Sequence, residues 1–218
     1  MNVCSKKCKI KPWKCPDKVK QQETIDKINH IQEECKEGKS IILFEDAVHQ
    51  LHTTSTWYAL QFRWNKNTKV FESNTWRKRL TVLWCIDPNN IEFTAVQTDL
   101  TCNIDLMKSL LDKLQNKYKE WLSIGKTIYM VLDNARYQKS YKVQDYAKEL
   151  WIELVYLAPY CPHLNLIERL WKWFKKKLKN RYFATFEEFR FHIQYVIWSI
   201  SNSYLELKSL LTFNFPII

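Results

Sequence analysis

Three acidic side chains stand at points in the sequence where they could take part in catalysis. Asp46 and Asp133 each follow an apolar run, IILFE and TIYMVL, and Glu168 lies near the start of a helical pattern rich in Trp, Phe and Lys. Carboxylates brought close together repel one another, and burial increases that cost. A divalent cation removes the repulsion, and oxygen ligands favour Mg²⁺ or Mn²⁺. Two such ions stabilise both the attacking and the leaving oxygen of a phosphoryl displacement, so the three acids predict metal-dependent phosphoryl transfer.

Each acid also has a simpler structural interpretation. Asp46 can be a lone acid at the end of a strand. Asp133 precedes Asn134 and can be a turn or helix-cap residue. Glu168 can form a weak surface pair with Lys172 four residues later. Taken singly, each acid is more often structural, but the order and context of the three favour a site.

The chain carries more basic than acidic residues. Its 218 residues include 34 Lys and Arg against 23 Asp and Glu, a net charge of +11. Such an excess predicts a polyanionic partner, either nucleic acid or an anionic membrane surface. No apolar run approaches the roughly 18 residues of a membrane span, and the N-terminal sequence MNVCSKKCKIKPW shows no signal-peptide pattern. Nucleic acid is therefore the favoured partner, and no membrane association is expected.

Basic side chains are concentrated in the helical pattern that follows Glu168. Trp171, Trp173 and Phe174 are expected to face the core there, because an amphipathic helix buries one face. The opposite face then offers cations to the phosphate backbone of DNA, although a solvated charged face is the simpler interpretation. The side chains predicted to bind DNA are Arg169, Lys172, Lys175, Lys176, Lys177 and Lys179.

Cysteine usage predicts the cellular compartment. The sequence has 7 cysteines and no export signal, which favours reduced thiols in the cytoplasm. A DNA-binding protein in the bacterial cytoplasm is expected to associate with the nucleoid. Cys4, Cys8 and Cys15 lie close together, with His30 and Cys35 further on, so a zinc site is one interpretation. The chain has no C-x-x-C pair, and free cysteines on a basic arm are the favoured interpretation.

The patterns around the acids predict one α/β domain over residues 39–218, after a basic N-terminal arm over residues 1–38 with a helix from Pro16 to Lys36. IILFEDAV, WYALQFRW, KRLTVLWCID and IEFTAVQT are predicted strands of an antiparallel meander. A helix from Asn103 to Leu122, the strand TIYMVLD, the helix YQKSYKVQDYAKEL, the strand IELVYL and the basic helix follow, and FEEFRFHIQYVIWSIS is the last helix. The expected fold is a mixed sheet, a meander followed by β-α-β-α, flanked by helices.

This fold determines which acids can meet. Neighbouring side chains of a strand point to opposite faces, so Glu45 and Asp46 cannot both face one site. Ligands of α/β sheets gather beyond the carboxyl ends of the strands. Asp46 and Asp133 would both lie there if their strands are neighbours, and Glu168 near the start of the next helix could join them.

Three blocks of the sequence resemble the DDE transposases of bacterial insertion sequences, in the branch related to mariner elements. LFEDAVHQLH resembles the block of the first Asp, IYMVLDNARYQKS that of the second Asp, and LAPYCPHLNLIERLWKWFKKK that of the Glu. The 34 residues 134–167 separate Asp133 from Glu168, a spacing typical of this branch. The resemblance extends from Ile41 to the end of the chain.

The resemblance implies a ribonuclease H-like fold and DNA cleavage and strand transfer at two Mg²⁺ ions, for which Mn²⁺ can substitute. Water first attacks the phosphodiester at the element's end, and the freed 3′-hydroxyl then attacks target DNA. The implied catalytic and metal-binding residues are Asp46, Asp133 and Glu168. The neighbouring positions interpreted as orienting groups rather than ligands are His49, Asn134 and Asn165.

The sequence departs from the family in several places. Gln138 stands where His is common, Cys161 stands where Ser is common, and residues 57–87 lack the glycines of relatives. Only about forty residues precede the first catalytic strand, too few for the helix-turn-helix region that relatives carry. The expected protein is therefore the catalytic portion of a transposase, acting on double-stranded element ends and target DNA. It would act as a homodimer or with a companion chain that carries the helix-turn-helix. The alternatives are an inactive DNA-binding remnant or a ribonuclease H-like nuclease with another role.

Overall fold

A computed structural model describes residues 17–54, 70, 72–74 and 78–217. The predicted strand WYALQFRW and the proposed zinc ligands Cys4, Cys8 and Cys15 lie outside these residues. Within the described ranges, no helix has the length and apolar character needed to cross a bilayer.

The described strands form one mixed sheet in the order β3-β2-β1-β4-β5. β1 pairs antiparallel with β2, and β2 with β3, whereas β1–β4 and β4–β5 are parallel. The predicted meander followed by β-α-β-α is therefore confirmed in its described part. The strands are β1 Ser40–Leu51, β2 Arg79–Asp87, β3 Glu92–Thr98, β4 Thr127–Leu132 and β5 Ile152–Tyr156.

Helices cover both faces of the sheet, and several begin at residues that satisfy their first backbone N–H groups. Asp17 accepts a hydrogen bond from the Lys20 backbone N–H, and Thr185 forms a capping box with Glu188. The helices are α1 Lys18–Lys36, α2 Ile104–Lys117, α3 Lys119–Ser123, α4 Tyr141–Glu149, α5 Ile167–Leu178, α6 Phe186–Trp198 and α7 Tyr204–Leu210. The predicted single helix from Asn103 to Leu122 is wrong in one respect, because it is divided at Tyr118 into α2 and α3.

In the described part of the chain, two apolar clusters form the core, one on each face of the sheet. Ile42 and Phe44 of β1 pack with α1, α5, α6 and α7, and Ile41 and Leu43 pack with α2 and α4. This alternation follows from the two-residue period of a strand. α1 belongs to the first cluster through Ile25, Ile28 and Ile31, so the described part of the N-terminal arm packs against the sheet. The boundary at residue 38 stays a prediction.

The end of β4 leaves room beside the middle of β1. The parallel pairing of β1 with β4 ends at Phe44 and Val131, whereas the antiparallel pairing with β2 continues to Leu51. Asp46 therefore lies just beyond the last residue of β1 that pairs with β4. It still belongs to the antiparallel ladder between β1 and β2, where it pairs with Trp84. The expectation that Asp46 ends its strand is wrong, because β1 continues for five more residues, 47–51.

Candidate active site

The structure brings Asp46, Asp133 and Glu168 to one end of the parallel strands. Asp133 directly follows β4, and Glu168 lies in the first turn of α5. Burial raises the pKa of Asp46 to about 7, and the negative charges of Asp133 and Glu168 contribute to the rise. Burial also raises the pKa of Glu168, again with a contribution from Asp133. The three carboxyl groups therefore lie within range of one another's charge.

Two donors hold the carboxylate of Asp46. The indole Nε1 of Trp171 donates a hydrogen bond of 2.8 Å to Oδ2, and the backbone N–H of Ala47 donates one of 2.7 Å to Oδ1. Both bonds lower the pKa of Asp46, but burial dominates. Trp171 is buried, as expected of a core residue, and it is also part of the site, a role that the sequence analysis missed.

Asn165 connects the elements that carry the three acids. Its side-chain Nδ2 donates to the backbone oxygen of Glu45 at 3.0 Å and lies 3.5 Å from Oδ1 of Asp133. Its Oδ1 accepts from the Ile167 N–H at 3.3 Å, and its backbone oxygen accepts from the Glu168 N–H at 3.2 Å. The residue is buried, so these bonds form away from solvent. Burial raises the pKa of Asp133, and the bond from Asn165 opposes that rise.

Asn134 fixes the turn that follows β4. Its Nδ2 donates a hydrogen bond of 2.7 Å to the backbone oxygen of Leu157, and the Leu157 N–H donates to the Leu132 oxygen at 3.1 Å. The side chain thus ties the turn carrying Asp133 to the end of β5, as an orienting group would.

Glu45 supports the same turn from the opposite face of the sheet. Gln138 donates from Nε2 to Oε2 of Glu45 at 2.6 Å and accepts from the Ala135 N–H at 2.9 Å. The second oxygen of Glu45, Oε1, is buried without a hydrogen-bond partner among the described residues. Burial raises the pKa of Glu45 well above its ordinary value, and the charges of Asp46 and Asp133 add to the effect.

Residues 60–190, more than half of the chain, match the family described as DDE superfamily endonuclease. The chain belongs to the DDE superfamily endonucleases. The matched range contains Asp133 and Glu168 and begins after Asp46. No curated protein matches the sequence.

Solved structures of Mos1 transposase share the fold of this DDE endonuclease domain. The Mos1 paired-end complex with the left transposon end aligns with a TM-score of 0.66 at 14% identity, covering 99% of this chain and 69% of that chain. The Mos1 mariner paired end complex with Mn aligns with a TM-score of 0.67 at 15% identity, again covering 99% of this chain and 69% of that chain. The Mos1 catalytic domain alone aligns with a TM-score of 0.57 at 15% identity, covering 93% of this chain and 98% of that chain. The predicted ribonuclease H-like fold is thereby confirmed.

Two residues predicted for the DDE site lie elsewhere. Nδ1 of His49 is 2.9 Å from Oγ1 of Thr81 on β2. His49 is three positions from Asp46 on the same strand, so strand alternation points its side chain to the opposite face, beside Thr81. The alternation that separates Glu45 from Asp46 would have shown this from the sequence. Its role as an orienting group stays a prediction.

Arg169 does not project from α5 with the lysines. Its guanidinium donates to the backbone oxygens of Leu210 at 3.3 Å and Thr212 at 2.6 Å, and also to that of Asn214. The guanidinium carbon lies 5.9 Å from the ring centre of Phe215. Arg169 thus holds the segment after α7, and its predicted contact with DNA stays a prediction.

The lysines of α5 occupy its outer face. Lys172, Lys175, Lys176 and Lys177 are exposed, and Lys179, just after the helix, is partly buried. The charges of Lys175 and Lys172 oppose the rise of the Glu168 pKa, so both lie near that acid. A cationic surface therefore begins beside the carboxyl cluster.

The donor types of the cluster fit a hard divalent cation. The charge of Asp133 raises the pKa of both Asp46 and Glu168, and a divalent ion would relieve this repulsion. Among the residues that the structure describes, no three His, Cys, Asp or Glu side chains are yet arranged to hold a metal ion. The carboxylates share an electrostatic environment without converging on one point.

Proposed function

We propose that this chain is the catalytic domain of a transposase that cleaves DNA at the ends of a mobile element and joins the freed ends to target DNA. The element is proposed to be a bacterial insertion sequence related to mariner. The observation that carries the proposal is the placement of Asp46, Asp133 and Glu168 within range of one another's charge, beside the end of β4 in a DDE-family fold. The similarity in fold to the Mos1 catalytic domain supports it.

The three carboxylates would hold two Mg²⁺ ions, with Mn²⁺ as a substitute; Mos1 complexes were solved with each metal. When bound, such ions stabilise the attacking and leaving oxygens of a phosphodiester displacement. Trp171 orients the carboxylate of Asp46 by donating a hydrogen bond to Oδ2. This metal-binding group is therefore held in position before DNA binds. Asn165 holds Asp133 and the start of α5 in relation to β1, and Asn134 anchors the turn.

Double-stranded DNA is the proposed substrate. Lys172, Lys175, Lys176 and Lys177 project to solvent, while Trp171, Trp173 and Phe174 bury the other face of α5 in the core. The helix is thus a rigid support that presents cations to phosphates next to the acids. Mos1 assembles paired-end complexes, and we propose that this chain likewise acts as a pair of copies or with a companion chain.

The substitution Glu168→Gln tests this proposal. It removes a charge and keeps the side-chain shape, so Mn²⁺-dependent nicking of a DNA duplex should be lost. DNA binding should be unchanged or tighter, because one repulsive charge is gone. Glu149→Gln, on the exposed end of α4, is the matched control and should nick like wild type.

Each outcome decides between functions. Nicking by Glu168→Gln at the wild-type rate would refute the assignment of the third acid. Wild-type cleavage without joining to target DNA would indicate a nuclease with another role. DNA binding by a wild-type chain that never cleaves would indicate an inactive remnant.

A further inference from the structure

A second basic surface lies on the face of the sheet opposite α5. It is an open groove with a volume of about 840 Å³, formed by the first turns of α2 and α4 and by the turn after Asp133. Its polar lining consists mainly of Asp105, Lys108, Arg136, Tyr137, Ser140 and Lys142. None of these side chains belongs to the carboxyl cluster or to α5.

The charges of the groove are mostly uncompensated. Among the residues that the structure describes, three cations line it against the single acid Asp105. Arg136 and Lys142 are exposed, and neither forms an ion pair or a side-chain hydrogen bond within the described part of the chain. The ammonium of Lys108 lies 4.6 Å from the ring centre of Tyr146, which holds it at the groove. Unpaired cations in a concave surface attract and concentrate anions.

The groove is connected to the proposed active site through the chain itself. Arg136 follows Asp133 by three residues in the same turn. The next residue, Tyr137, lies with its hydroxyl 3.5 Å from Nε2 of Gln138, which is bonded to Glu45 behind Asp46. An anion in the groove would therefore lie directly beside the turn that positions the second acid.

We propose that this groove binds the phosphate backbone of DNA next to the reacting phosphodiester. The inference deepens the proposed function and rests on it. DNA would be held from both faces of the sheet, by the lysines of α5 on one side and by the groove on the other. The size of the groove and the spread of its cations over two helices and a turn fit successive phosphates of a strand better than one small anion.

The test compares the salt dependence of DNA binding by three triple variants of the full chain. The groove variant is Lys108→Ala/Arg136→Ala/Lys142→Ala, and the α5 variant is Lys175→Ala/Lys176→Ala/Lys177→Ala. The matched control, Lys20→Ala/Lys119→Ala/Lys148→Ala, removes three exposed lysines that border neither surface. Binding of a short fluorescent duplex is measured by anisotropy between about 50 and 200 mM salt, where phosphate contacts dominate the slope.

Each lost phosphate contact should lower the slope of log Kd against log salt by about one. We expect a decrease of about two to three for the groove variant and for the α5 variant, and of less than one for the control. Thermal unfolding verifies that every variant folds. The double variant Arg136→Ala/Lys142→Ala repeats the test without disturbing the Lys108–Tyr146 contact, with an expected decrease of about two.

The outcomes separate the two proposals. If wild type binds DNA and both groove variants match the control, the groove does not bind DNA while the proposed function stands. If wild type has no affinity for the duplex even at about 50 mM salt, the proposed function is refuted, and the groove proposal with it.

Discussion

Trp171 on α5 and Asp46 on β1 are 125 positions apart in the sequence, yet the indole Nε1 of the first donates a 2.8 Å hydrogen bond to Oδ2 of the second. The bond joins the helix that carries Glu168 to the strand that carries Asp46. Trp171 also packs edge-on against Trp84, with ring centres 4.9 Å apart. One side chain thus fixes both the orientation of an acid and the position of the basic helix.

Trp171→Phe should keep the apolar packing and remove the donor. The carboxylate of Asp46 would lose a hydrogen bond to a charged group, so the apparent Kd for Mn²⁺ should rise by about tenfold, corresponding to about 1.4 kcal/mol. Trp173→Phe is the control, because the Trp173 indole donates to Glu206 at 2.9 Å instead. Titration of Mn²⁺ by calorimetry measures both constants, and equal values for the two variants would contradict the role given to Trp171.

Asp46→Asn should stabilise the metal-free protein at neutral and higher pH. The pKa of Asp46 rises from 3.8 to about 7 on folding, so ionisation costs stability as the pH increases through that interval, a cost of about 4 kcal/mol once complete. Asparagine carries no charge, but its single side-chain oxygen cannot replace both carboxylate oxygens as acceptors of the hydrogen bonds from Trp171 and Ala47. The expected gain in the free energy of unfolding is therefore reduced to about 2 kcal/mol above pH 7.

The pH profile distinguishes this charge effect from a packing effect. The advantage of Asp46→Asn in the free energy of unfolding should shrink as the pH falls from about 8 to about 4, because the wild-type carboxyl group then becomes protonated. Chemical unfolding at several pH values measures it. If the difference in the free energy of unfolding between the variant and wild type does not vary with pH, the ionised carboxylate of Asp46 is not destabilised by burial.

Mn²⁺ should stabilise the wild type against thermal unfolding and should not stabilise Asp133→Asn. An ion that binds only the folded chain raises stability by about 2.7 kcal/mol at a hundredfold excess over its Kd. Asp145→Asn on the exposed side of α4 serves as the control and should respond like wild type. Equal shifts in wild type and Asp133→Asn would place the ion at another site.

Gln138→Ala should loosen the turn that carries Asp133. The change leaves the Ala135 N–H and Oε2 of Glu45 without their partner, and each unpaired buried group costs about 1–3 kcal/mol. We expect a loss of about 2 kcal/mol in the free energy of unfolding and slower Mn²⁺-dependent nicking. Gln144→Ala removes a bond to the Lys139 oxygen at the surface and should change neither quantity measurably. A nicking rate that survives Gln138→Ala would show that this support is structural only.

The sequence predicted most of the described sheet because its strands are long apolar runs separated by clear turns. IILFEDAV, KRLTVLWCID, IEFTAVQT, TIYMVLD and IELVYL all fall on strands. Strand boundaries were less predictable. β1 extends to Leu51 because β2 continues to pair with it there, and such tertiary pairing leaves no local pattern. The short helix α7 was missed, since it spans only seven residues and has little periodicity.

The site was predictable in its acids but not in the contacts that hold them. Asp46, Asp133 and Glu168 follow recognisable patterns, whereas the partners of Trp171 and Gln138 lie 125 and 93 positions away. Nothing local distinguishes Trp171 from Trp173, and their indole groups donate to different acids. Arg169 could not be separated from the lysines of α5, because its partners belong to a segment more than 40 residues later.

The continuation of β1 beyond the end of β4 gives the three acids unequal conformational freedom. Asp46 is held in the β1–β2 ladder, whose backbone is ordered by folding itself. Asp133 and Glu168 lie in a turn and in the first turn of a helix, where local opening is easier. The entropy lost when a ligand draws the carboxylates together therefore falls mainly on those two segments. Substitutions along β1 should change whether the chain folds, whereas substitutions around the turn and the start of α5 should tune how tightly the folded chain binds its ligand.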